Sequence, residues 1–108
     1  MEEDSVYYCI LPQTSVTVNM TTEPPGIFIY GIIVGLDNVD AITKYIDEFY
    51  AIYGKYLTSR PSVTISTKHD ELGIYDVGVD MEFKSGNLPG DLIESIIKLV
   101  ELFRKHSI

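Results

Sequence analysis

Three carboxylates, Asp76, Asp80 and Glu82, fall on the even positions of one alternating stretch, with His69, Asp70 and Glu71 just upstream. Oxygen-rich residue types of this kind could hold a hard cation if the chain coiled enough to converge them. Side chains two residues apart on a strand are separated by about 7 Å, however, which is too far for two direct ligands. The stretch therefore reads as a solvated acidic face, and no metal is expected. A carboxylate pair acting as acid and base would need burial to split its pKa values, and these positions alternate with apolar ones that take the buried side.

Other chemistry finds less support. The two histidines, His69 and His106, match no zinc spacing, and no EF-hand pattern is present. There is no G-x-S-x-G, no glycine-rich phosphate loop, and a single cysteine, Cys9, whose apolar neighbours suit a small packed hydrophobe better than a nucleophile. Catalytic, cofactor-binding and metal-binding residues are accordingly read as none. A sheet of the kind that stacks RNA bases would need basic residues around Phe28 and Tyr30. The chain carries 16 acidic against eight basic residues and a formal charge of −8, which repels phosphate backbones and anionic lipid.

The acidic face needs a strand, and the strand needs a sheet. Tyr75, Val77, Val79, Met81 and Phe83 alternate with Asp76, Gly78, Asp80, Glu82 and Lys84, so one side of this strand is core and the other meets water. The apolar run from Gly26 to Gly35, rich in isoleucine, predicts the central strand. Before it, residues 5–11 and the alternating Val16, Val18 and Met20 predict a hairpin, closed onto the central strand at Glu23-Pro24-Pro25-Gly26. Val63 and Ile65, alternating with Ser62, Thr64 and Ser66, predict a further half-buried strand, and residues 69–73 the turn after it. Gly31 marks a bulge or a point where a helix approaches the backbone.

Two stretches change period. Val39, Ile42, Tyr45, Ile46, Phe49, Tyr53 and Tyr56 form one stripe of a helix capped by Asn38, with Asp40 in its first turn, ending near Leu57. Leu92, Ile93, Ile96, Leu99, Val100 and Phe103 form the stripe of a second helix, after a loop over residues 85–90. Tyr45, Tyr50, Tyr53 and Tyr56 suit the core edge, with interface residues as the other reading of so many tyrosines.

The order β-β-β-α-β-β-α over a single domain, 1–108, predicts an α+β two-layer sandwich. From the third strand onward it resembles a ferredoxin-like run, with the second strand where that fold's last strand lies. The expected sheet is antiparallel and five-stranded in the order 1-2-3-5-4, with both helices on one face. Phe28, Tyr30, Ile32 and Val34 would then lie on the uncovered side beside Asp76, Asp80 and Glu82. An apolar strip left open in this way marks an interface.

The functional expectation is a small acidic, non-enzymatic interaction protein. It self-associates as a homodimer through this sheet and binds or inhibits a basic protein, as an immunity protein or a mimic of nucleic-acid charge would. A ligand- or metal-responsive regulatory domain with its pocket at the dimer seam is the alternative, and an enzyme completed only between subunits is a third. No direct nucleic-acid or membrane partner and no cofactor are expected. The single cysteine and the acidic N-terminus point to the cytoplasm.

Overall fold

The computed structural model describes the backbone of residues 6–10, 16–69 and 72–107, and the side chains of these except 6–10, 68 and 69. The chain is α+β, an antiparallel sheet with two helices. Its strands are β1 (Val6–Ile10), β2 (Thr17–Thr22), β3 (Pro25–Val34), β4 (Ser62–His69) and β5 (Ile74–Glu82). Its helices are α1 (Leu36–Tyr53), continued by a 3-10 turn at Gly54–Tyr56, and α2 (Gly90–His106). Four strands with described side chains lie in the order β2-β3-β5-β4, and β1 pairs by its backbone outside β2. The expected turn at 12–15 and the side chains of Cys9 and His69 lie outside the described residues, as do Asp70 and Glu71.

Period-two alternation becomes two different faces. Ile27, Ile29 and Ile33 of β3 and Val77, Val79 and Met81 of β5 are buried on one side. They pack with Val39, Ile42, Ile46 and Phe49 of α1 and with Leu92, Leu99 and Phe103 of α2 in a single core. Gly31 is no bulge, since the ladder runs unbroken through Gly31 and Val77. A Cβ there would stand 3.0 Å from the Phe103 ring, so the missing side chain is what lets α2 sit down on the sheet.

Several boundaries depart from expectation. Asn38 does not cap α1: Gly35, at φ 94°, is the N-cap, and Asn38 lies inside the first turn, where its Nδ2 donates to the Val34 carbonyl at 2.7 Å. A left-handed junction that a side chain would strain turns strand into helix, and the Gly35 amide donates to the Gly73 carbonyl at 2.7 Å. The acidic residue of the first turn is consequently Asp37 rather than Asp40. Tyr45 donates from its hydroxyl to the Ser95 carbonyl at 2.8 Å and so ties α1 to α2. Tyr53 packs against Phe49 with ring centroids 5.1 Å apart.

Three apolar residues are less covered than their patterns suggested. Val63 and Ile65 of β4 are exposed rather than half-buried, because α1 lies over β3 and β5 and stops short of the sheet's edge. Ile93 is also exposed, although the sequence put it in the buried stripe of α2. Leu92, Leu99 and Phe103 define the seam that faces the sheet, and Ile93 sits about 100° further round the helix.

Candidate functional site

The side of the sheet away from the helices carries Phe28, Tyr30, Ile32 and Val34 from β3 and Asp76, Asp80 and Glu82 from β5. Strand register sets their neighbours. Phe28 lies opposite Asp80, Ile32 opposite Asp76, Tyr30 opposite Gly78, and Gly26 opposite Glu82. Phe28, Tyr30, Ile32 and Val34 thus form a row on β3 flanked by the carboxylates of β5, and the two rings reach across toward that acidic row.

Two side-chain contacts organise this surface. The Tyr30 hydroxyl donates to Asp76 Oδ1 at 2.7 Å, reaching diagonally along the strand pair. That bond to a carboxylate holds the Tyr30 pKa above the usual tyrosine value, with burial and the Asp76 charge adding to the shift. The Phe28 ring lies across Gly78, where a Cβ would come within 3.2 Å of its Cε1. Glycine here leaves room for the ring against the backbone, and Phe28 remains 38% exposed.

Asp80 and Glu82 are exposed and have no ion-pair partner among the described residues. They border a shallow hollow of about 320 Å³ whose other walls include Asn19, Thr21, Pro24, Pro25, Gly26 and Phe28. Thr21 Oγ1 donates to the Pro24 carbonyl at 2.8 Å and shapes its rim, while Asn19 Oδ1 is buried without a hydrogen-bond partner among the described residues. Gly26 is required at its floor, since a Cβ would stand 2.7 Å from the Met81 carbonyl oxygen. Chemically the hollow offers carboxylates and an aromatic wall, a combination that suits a cationic group.

No three metal-ligating side chains come together among the described residues. The carboxylates of β5 stay strung along their strand.

A second concavity escaped the sequence reading. Between α2 and β2 runs an apolar groove of about 630 Å³, walled by Val18 and Met20 on the strand and by Ile93, Ile97 and Val100 on the helix, with Arg104 at one end. Ile97 is 52% exposed. The signal was present in the spacing of 93, 97 and 100, a second helical seam beside the core seam.

The remaining charges are elsewhere. Arg60 donates to Asp47 Oδ1 at 2.6 Å and lies over the Tyr50 ring, both on the flank of α1. Among the described residues no helix is long and apolar enough to cross a membrane. No family model, no curated protein and no solved structure matches this chain.

Proposed function

We propose that the chain is a small acidic, non-enzymatic interaction protein, folded as one domain over 1–108, whose open sheet face binds a basic protein partner. The observation that carries this reading is the apposition of Phe28 with Asp80 across the strands, and of Tyr30 with Asp76 through its hydroxyl, on a face that neither helix covers. Rings set beside carboxylates match lysine and arginine side chains, whose stems lie on aromatic surface while their charged heads meet oxygen. The hollow beside Phe28, Asp80 and Glu82 is the natural seat for one such head. With this we read the scaffold as ferredoxin-like from β3 onward, β2 standing in for the last strand of that fold.

Self-association through the same face is the second reading, favoured by the exposure of Phe28 and Val34. It would bring Asp76, Asp80 and Glu82 of two copies together, so salt should promote it. Binding of a basic partner should instead weaken as salt is raised.

The test compares two charge-matched triple variants for binding to a peptide of alternating lysine and arginine. Asp76→Asn with Asp80→Asn and Glu82→Gln removes three charges from the face. Asp40→Asn with Glu48→Gln and Glu94→Gln removes three exposed charges from the helices. The face variant should lose about tenfold or more in affinity and the helix variant much less. Equal losses would mean that net charge alone attracts the peptide, and the proposal fails.

A further inference from the structure

The sheet ends at β4, and its outer edge differs from the rest of this acidic molecule. Every residue from Ser62 to Thr67 is exposed, and β4 pairs only with β5 among the described residues. The six residues are serine, threonine, valine and isoleucine, without a charge in a chain of net charge −8. Natural edges are guarded by charge, proline or a bulge. Here Pro61 precedes the strand, and Lys68 and the ladder irregularity come only after Thr67, so all three guards lie outside the window.

We infer that β4 is a self-pairing edge, and that its occupant is the β4 of a second copy of this chain, joined antiparallel about a two-fold axis. An unpaired edge presents alternating backbone N–H and C=O groups, which only another strand satisfies along its length. The sequence of β4 is self-complementary in that arrangement. With Thr64 on the axis, Val63 meets Ile65 of the partner subunit and Ser62 meets Ser66 of the partner subunit. Apolar residues thus pair on the helix side, where Val63 and Ile65 project beyond the reach of α1, and hydroxyls pair on the open side. Two strongly acidic copies meet along an uncharged line, which avoids the like-charge penalty that the open face carries. A two-fold contact of this kind closes on itself and makes a dimer rather than a fibre.

The contact is small beside the roughly 1,200–2,000 Å² of a stable interface, so the dimer should dissociate on dilution. It is independent of the basic-partner reading, because it uses a different surface.

Sedimentation from about 1 μM to about 1 mM should reveal a monomer–dimer equilibrium in the parent. Ile65→Lys, at a position 46% exposed, should remain monomeric throughout with unchanged circular dichroism and melting temperature. Phe28→Asp should still dimerise. Hydrogen exchange on the parent adds a readout that needs no variant: half of the amides from Ser62 to Thr67, those pointing outward, should exchange more slowly as concentration rises. A parent monomeric at the highest concentration, a dimer that survives Ile65→Lys or is lost in Phe28→Asp, or outward amides unaffected by concentration would overturn the inference.

Discussion

Val79 and Asp80 are adjacent on β5 and live in different solvents. Val79 is fully buried on the helix-covered side, whereas Asp80 projects from the other side opposite Phe28. The helix-covered face contains no buried polar or charged residue among those described, and its members stabilise the fold through apolar burial. The open face spends aromatic and acidic residues where they add little to folding. The comparison teaches that the pleat of one sheet separates the residues that stabilise the fold from those proposed to bind, so the two sets can be perturbed separately.

The largest effects should come from breaking the covered face. Val79→Asp buries an unpaired carboxylate at a cost of several kcal/mol, enough to unfold a domain of this size, whereas Asp80→Val should stay folded with a stability change of about 0.5 kcal/mol or less. Urea unfolding of the pair measures the contrast directly. Removing residues 1–22 belongs to the same class. It strips β2 from the edge of β3 and takes away the fully buried Val16, and the truncated chain should aggregate on expression.

Two glycines on opposite faces give an intermediate effect. Gly31→Ala drives a methyl group against Phe103, which is completely buried and cannot give way, and should cost about 1–3 kcal/mol. Gly78→Ala meets the half-exposed Phe28 ring, which can swing outward, so its stability loss should stay below about 1 kcal/mol. The second variant should nonetheless weaken binding of a basic peptide, because the displaced ring no longer lies over the strand.

Tyr30→Phe is smaller still. Losing the hydroxyl bond to Asp76 should cost about 0.5–1.5 kcal/mol at neutral pH. Because the Tyr30 pKa is raised on folding, its contribution is fully present below the ordinary tyrosine value of 10.0 and is lost as pH rises past it. Tyr45, raised chiefly by burial, adds a slope of the same sign. Denaturation followed from pH 8 to 12 should therefore show a shallower alkaline loss in Tyr30→Phe than in the parent. The smallest effect expected is that of Asp47→Asn, since the side chains of the Arg60–Asp47 pair are 63% and 64% exposed, and it should fall within about 0.5 kcal/mol.

Alternation is what made the layers legible in the sequence. Tyr75 to Phe83 changes character at every residue, so the side on which Asp76, Asp80 and Glu82 lie follows from counting by twos. The α+β architecture follows once the period shifts in α1 and α2. What was not legible depends on partners distant in the chain. Only register shows that Phe28 lies over Gly78 or that Tyr30 reaches Asp76. Whether Val63 and Ile65 are covered depends on how far α1 extends across the sheet, which no local pattern records. Asn38 resembles a cap because residue type is visible and backbone torsion is not, and the positive φ at Gly35 moved the helix start upstream. Ile93 misleads because a helix carries two neighbouring apolar seams and only packing decides which one the sheet takes.

The central claim, that the open face is the binding surface, is tested most directly by a nuclear magnetic resonance titration of the parent with the lysine–arginine peptide. Amide shifts should concentrate at Phe28, Tyr30, Asp76, Asp80 and Glu82 and shrink as salt is raised. Shifts confined to Ile93, Ile97 and Val100 on α2, or spread evenly over every exposed carboxylate, would contradict it.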